Sequence, residues 1–378
     1  MPTNGSGTNG VAIQAHREPK WAIAVKNFSP LWFTISMDTG ILSIILHLLP
    51  YHFTAQGILS TILFIFNLVL FVSFTLLSIL RLLRYRRHVR SQTFSSIEEL
   101  SYLGAPATAY LTLVAQVSLI CSTAWGYPWT IVAYVLWWLG LVWTVSLTTF
   151  TIIVLAKRNI ASDRTLSPAI FLPLISVMTL GTTGGIVTNY SVGMTPSLAV
   201  PIIVVGYMAI GYAFFLSLLY YAYMAHKLIA VGLPEPAKIP ALMIMVGPMG
   251  QFATAIQVLS TAANTRGMFG GYNQGTWLQA SAASSVSAAA VLIALLALGF
   301  AFLWITVLWY IVVEHAWKRN LPFGLTWWSL IFPMGGTALG IPQQRDQEDE
   351  QARNKKESMD RYVVRNYNAN GHASGSNV

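Results

Sequence analysis

The sequence predicts an all-α polytopic membrane protein, and three observations predict it. Of 378 residues, 55% are apolar and only 9% charged, whereas a soluble domain carries about a quarter charged residues. The apolar residues fall in blocks of about 20, the length of helix that crosses a bilayer core. The basic residues fall in alternate gaps between those blocks, as they do when they set membrane topology. Transmembrane β-strands would show as much shorter alternating segments, and the sequence has none. This composition excludes a cytosolic enzyme and a disordered chain. It also makes the formal charge of +9 a topology signal rather than a nucleic-acid surface. The single cysteine, Cys121, excludes an internal disulfide and a cysteine-based metal site.

In chain order, residues 1–27 read as a polar N-terminal arm with no apolar signal segment before Phe28. Eight clear spans follow at about 30–49, 58–80, 104–124, 129–156, 168–189, 198–225, 240–264 and 286–313. A ninth, 324–341, is shorter, so residues 28–341 form the expected transport domain of about nine helices. The tail, 342–378, is hydrophilic, with six acids and six bases, and is expected to be disordered.

Basic residues orient the spans. Arg17, Lys20 and Lys26 lie in the arm, and Arg81, Arg84, Arg86, Arg87 and Arg90 follow span two. Lys157, Arg158 and Arg164 follow span four, Lys227 and Lys238 span six, and Lys318 and Arg319 span eight. These 15 oppose one, Arg266, in the intervening loops, which predicts a cytoplasmic N-terminus.

Odd and even spans differ in chemistry. Odd spans open on proline and carry more within: Ser29-Pro30, Ala105-Pro106, Ser167-Pro168 with Pro173, Ile239-Pro240 with Pro248, and Pro333. They also concentrate glycine and hydroxyls, as in Leu180-Gly181-Thr182-Thr183-Gly184-Gly185. Interrupted backbone at membrane depth is tolerated where it is buried in protein or lines a wet cavity. Odd helices are therefore expected inside and even helices against lipid. Odd spans begin near 30, 104, 168, 240 and 324, a loose repeat of 64–84 residues that suggests a ring of hairpins around one axis.

Helical spacing gives that axis candidate lining residues. Ser36, Gly40, Ser43 and His47 share a stripe on span one; Gly247, Gln251, Thr254 and Thr261 on span seven; Ser329, Pro333, Gly336 and Gly340 on span nine. Thr183 and Gly184 add span five. The competing reading of any one stripe is close helix packing through small residues. No Lys or Arg lies inside an odd span, so positive field must come from helix ends and from backbone N–H groups at Pro106, Pro173, Pro248 and Pro333. Asp38 lies mid-span, roughly opposite the first stripe. It reads either as a proton-coupling group or as a neutral acid hydrogen-bonded between helices.

Several segments carry a resemblance. Asn27-Phe28-Ser29-Pro30-Leu31-Trp32-Phe33, Met37-Asp38-Thr39-Gly40-Ile41, Gly247-Pro248-Met249-Gly250-Gln251 and Trp327-Trp328-Ser329-Leu330-Ile331-Phe332-Pro333-Met334-Gly335 resemble the tellurite-resistance/dicarboxylate transporter family. That family includes fungal sulfite efflux pumps, whose first helix the segments 27–33 and 37–41 resemble, together with malate permeases and plant slow anion channels. The resemblance implies ten helices in five hairpins (a pseudo-fivefold ring), a central anion pathway closed by a phenylalanine that corresponds to Phe332, and a homotrimer. An apolar ring across a narrow pore excludes water and ions until it moves. Asp38 departs from the family's usual glycine. The hydrophilic stretch from Gln343 departs too, so the tenth helix is expected to be missing.

No catalytic, P-loop or dinucleotide motif is present, and no cofactor, metal or nucleic-acid partner is expected. The resulting expectation is a plasma-membrane sulfite (bisulfite) efflux transporter or anion channel. The alternatives are a malate-type C4-dicarboxylate permease, or a non-conducting membrane scaffold or regulatory partner.

Overall fold

The structure, a computed structural model, describes residues 19–49, 53–158 and 165–341. The expected tail lies outside them, as does most of the N-terminal arm. In order, the helices are α1 (Lys20–Lys26), α2 (Phe33–Leu48), α3 (Gln56–Arg84), α4 (Arg86–Ser95), α5 (Ile97–Ser101), α6 (Gly104–Gln116) and α7 (Thr123–Trp125). There follow α8 (Tyr127–Arg158), α9 (Leu172–Tyr190), α10 (Pro196–Ala230), α11 (Gly247–Ala263), α12 (Met268–Tyr272), α13 (Ala280–Trp317) and α14 (Ile331–Gly340). A π-helical stretch, Val117–Ser122, joins α6 to α7. The described residues form no β-strand beyond one isolated bridge, Gln274 with Leu278.

A shared local device starts the first and fifth apolar segments. The backbone of Ser29 and Ser167 is extended, as the residue before proline prefers. Each serine hydroxyl accepts the amide two residues on, at 3.3 and 3.4 Å. Pro30 and Pro168 then open 3-10 turns, Pro30–Trp32 and Pro168–Phe171, where a missing N–H costs nothing. The seventh and ninth segments likewise pass through 3-10 helix, Pro236–Val246 and Leu325–Leu330, before turning α-helical at Gly247 and Ile331.

Where the sequence suggests prolines that interrupt helices from within, the structure places Pro106, Pro173, Pro248 and Pro333 in the first turn of α6, α9, α11 and α14. Proline is tolerated in that turn because its N–H has no helical acceptor there. The break lies before the proline, at the joint between segments.

Among the described residues, eight helices are long and apolar enough to cross a membrane. The ninth segment is not among them. Its six 3-10 residues rise about 2.0 Å each and its ten α residues about 1.5 Å each. Together they span about 27 Å, close to the roughly 30 Å of a hydrocarbon core.

Burial separates the two sets. The most apolar windows of the first, third, fifth and seventh spans are 61, 72, 100 and 100% buried; those of the second, fourth, sixth and eighth are 6, 28, 39 and 28% buried. Inside, α2 packs on α6, α6 on α9, α9 on α11, α11 on α14, and α14 back on α2. Outside, α3 lies on α2 and α6, α8 on α6 and α9, α10 on α9 and α11, and α13 on α11 and α14. Among the described residues no outer helix covers the α14–α2 seam, where Leu42, Ile331 and Ile341 are exposed.

At the end of the molecule that carries the arm, Arg81 ties the segments together. Its guanidinium donates to the Lys26 carbonyl at 3.2 Å and to Gln92 Oε1 at 2.7 Å, and lies 3.9 Å from Glu99. Glu99 in turn accepts the Ser29 hydroxyl at 2.8 Å. The start of the first span is thereby fixed to the third.

A constriction where five inner helices meet

The inner helices converge on a cavity of about 10 Å³, room for about one water molecule. Ile41 and Ile44 of α2 line it, with Thr112 and Ala115 of α6, and Thr179, Thr182, Thr183 and Ile186 of α9. Gln251 of α11 and Phe332 and Leu339 of α14 complete the wall. No lining residue is charged.

Phe332 is 1% exposed and is the largest side chain in that wall. Its place follows from the ninth segment's joint: the 3-10 turn ends at Leu330, and Phe332 is the second residue of α14.

Gln251 is positioned from two sides. The Thr182 hydroxyl donates to its Oε1 at 3.1 Å, and its Nε2 lies where a Cβ on Gly336 would stand 2.6 Å away. That Nε2 donates to none of the described residues. The Thr112 and Thr179 hydroxyls give their protons to the Ala109 and Ile175 carbonyls at 2.8 Å, and Thr183 gives its proton to the Leu111 carbonyl at 3.3 Å. The protons of these threonine hydroxyls are thus committed to carbonyl oxygens, and the Gln251 amide is the N–H donor left at the constriction.

Of the residues singled out in the sequence, Phe332, Thr183 and Gln251 line this cavity. Thr254 does not: its hydroxyl donates to the Gly336 carbonyl at 2.7 Å, and with Gln257 Nε2 on the Gly340 carbonyl at 3.1 Å it fastens α11 to α14. Gly336 is the contact surface for Gln251, and Gly247 packs against Ile175. Gly184 sits beneath the Trp137 indole, whose N–H donates to the Leu180 carbonyl at 2.9 Å. Ser329 is buried outside the cavity wall.

The first stripe faces an outer helix. The Ser36 hydroxyl donates to Asn67 Oδ1 at 2.6 Å, and the Ser43 hydroxyl to the Ser60 carbonyl at 2.8 Å, both on α3. Gly40 lets Asn67 and Thr112 approach. Asn67 Nδ2 then reaches Gln116 Oε1 at 2.9 Å and Thr112 at 3.3 Å, joining three helices. Pro106, Pro173, Pro248 and Pro333 lie behind the wall at the helix starts; the Pro173 carbonyl accepts Thr148 and Ser176 hydroxyls. Asp38, on the opposite face of α2, is buried where α14 packs on α2, beside the Phe332 backbone N–H but without a hydrogen bond of ordinary geometry to it.

Thr112, Thr179, Thr182, Ile41, Ile44, Ala115, Ile186 and Leu339 line the cavity without having been singled out. The spacing of Thr179, Thr182, Thr183 and Ile186, at i, i+3, i+4 and i+7, marks one helical face. That spacing was the available signal.

The chain is similar to known membrane-transport proteins. The profile of the SLAC1 family, described as voltage-dependent anion channel, matches residues 27–347. The sulfite efflux pump SSU1 of Arthroderma benhamiae is 27% identical over 341 residues, covering 89% of this chain and 86% of the relative. The same-named protein of Trichophyton rubrum is 27% identical over 342 residues, with the same coverage. A putative malic acid transport protein of Schizosaccharomyces pombe is 22% identical over 330 residues, covering 86% of this chain and 73% of the relative.

Proposed function

This chain belongs to the SLAC1 voltage-dependent anion channel family, and from that membership we propose that it exports a small inorganic anion, sulfite in its bisulfite form, across the plasma membrane. The observation that carries the reading is the constriction. Side chains of five inner helices enclose a small cavity lined by apolar groups, threonine hydroxyls and one amide, with no charged side chain, and Phe332 is the largest group in its wall. A monovalent anion needs only N–H dipoles and a dry wall to pass such a point, because no fixed cation has to release it afterwards. Gln251 Nε2 supplies the donor, and the Phe332 ring is the plug whose displacement admits the ion. The likeness to sulfite efflux pumps over 89% of the chain supports the choice of anion.

A C4-dicarboxylate carries two charges and more bulk, and its recognition calls for a cationic anchor. The inner spans contain no Lys or Arg, which favours sulfite over malate despite the likeness to malic acid transport proteins. The 15-to-one charge bias supports a cytoplasmic position for the arm and the basic loops.

The test is efflux from liposomes holding the purified protein, loaded with sulfite or with malate. Sulfite efflux well above that of empty liposomes, with malate retained, is the expected result. Malate flux equal to or above sulfite flux would transfer the assignment to the permease reading, and no flux of either anion would sink both.

A further inference from the structure

Asp38 is a buried acid that the pathway described above leaves unused. It is 1% exposed, and neither carboxyl oxygen has a hydrogen-bond partner of ordinary geometry among the described residues. The side-chain bond that would make it a structural acid between helices is therefore missing. What its carboxyl meets is the backbone N–H of Phe332, at the start of α14.

Its surroundings hold no compensating charge. The elements packed most closely on α2 are α3, α6, α14 and the turns Pro30–Trp32 and Leu325–Leu330. Of these, α6, α14 and both turns carry no charged side chain. The one titratable group among them is Tyr110, whose hydroxyl donates to the Leu136 carbonyl at 2.9 Å. On α3 the charges are Arg81 and Arg84, in its last turn, with Arg81 engaged by Gln92, Glu99 and the Lys26 carbonyl. On α2 itself, His47 lies nine residues further on, about 13 Å along the helix.

The two protonation states of Asp38 therefore differ in one contact. A neutral carboxylic acid here bears only the smaller cost of an unpartnered buried polar group. A carboxylate, lacking water and a cation, has the Phe332 amide and the positive end of α14 as its stabilising dipoles. Ionisation draws the first turn of α14 toward α2 and also sets a negative charge beside the anion's path. Both effects act in the same direction.

We propose that Asp38 is a proton-binding site controlling the constriction: release of its proton to water holds the Phe332 turn in place and closes the path, and uptake frees that turn. The inference rests on Phe332 as the plug. Asp38 acts through Phe332 and is a positioning residue.

The experiment uses the full chain in liposomes, with nitrate as the permeant probe because its charge is constant with pH. Identical buffers inside and outside are varied from acidic to alkaline. Wild-type nitrate flux should rise several-fold on acidification, and Asp38→Asn should hold the high, acidic level throughout. Asp38→Ser serves the same comparison if the amide variant misfolds. Independently of flux, infrared difference spectra should show a buried carboxylic-acid C=O stretch that disappears on alkalinisation and is absent from Asp38→Asn. A variant that keeps the wild-type pH profile, or a carboxyl band that does not titrate, overturns the proposal. Raised flux in Phe332→Ala together with an unchanged pH profile in Asp38→Asn would uphold the plug and reject the proton site alone. If wild type passes no anion, the plug reading fails while the infrared titration still decides whether Asp38 binds a proton.

Discussion

A Cβ on Gly336 would stand 2.6 Å from Nε2 of Gln251, so the amide keeps its place at the constriction because α14 carries no side chain opposite it. Gly336→Ala must push Gln251 off its bond with the Thr182 hydroxyl or spread α11 from α14. Overpacking of this kind costs about 1–3 kcal/mol. We expect a lower thermal unfolding midpoint in detergent and reduced anion flux. Gly299→Ala is the control, since a Cβ there meets nothing within 4 Å, and better helix propensity should leave it equally or more stable. Equal behaviour of the two variants would remove the argument from close approach.

Phe332→Ala removes the largest group in the cavity wall and should raise anion flux in liposomes relative to wild type. Phe332→Leu, still apolar but smaller, should fall between them. Because dewetting depends on width and polarity, flux in either variant that is no higher than wild type, with folding retained, contradicts the plug.

Gln251 separates dipole from charge. Gln251→Leu deletes the free N–H donor and should lower flux while costing about 1 kcal/mol for the lost interhelical bond. Gln251→Glu puts an acceptor, and when ionised a negative charge, in the anion's path and should lower flux further at neutral pH. A Gln251→Glu protein that conducts anions as well as wild type would show that the path runs elsewhere.

Asn67 tests packing at a side chain that does not itself line the cavity, although it bonds Thr112 in the wall. It accepts from Ser36 and donates to Gln116 and Thr112, so Asn67→Leu orphans polar groups on two neighbouring helices. Interhelical hydrogen bonds in membranes average about 0.6 kcal/mol each, and the loss of three is expected to cost about 2 kcal/mol in a reversible unfolding assay. An unchanged midpoint would mean those groups find other partners.

Much of the architecture was legible because the bilayer imposes simple rules. Apolar length marked the eight crossing helices, and the proline, glycine and hydroxyl content of the odd spans marked them as inner, as their burial shows. Ser29-Pro30 and Ser167-Pro168 marked where two of the odd spans open. Phe332, Thr183 and Gln251, all on the expected inner spans, line the cavity. The role of Ser36, Gly40 and Ser43 was not legible. A polar stripe on a transmembrane helix has the same spacing whether it meets water or an asparagine on the next helix, and here it meets Asn67 and Ser60.

By itself, then, the sequence determined which segments enter the membrane and which of them avoid lipid, since both follow from the cost of leaving backbone and polar groups in hydrocarbon. Only the tertiary structure decided which polar side chains face the axis. Ser36 finds its partner 31 residues away, Thr182 finds its partner 69 away, and Thr254 reaches 82. The rotation of each helix about its own axis is fixed by such distant bonds and by close approaches like Gly336 on Gln251. The placement of Asp38 against the Phe332 amide belongs to the same class. It depends on α14 returning to pack on α2, a contact between the two ends of the span series that spacing within a helix does not encode.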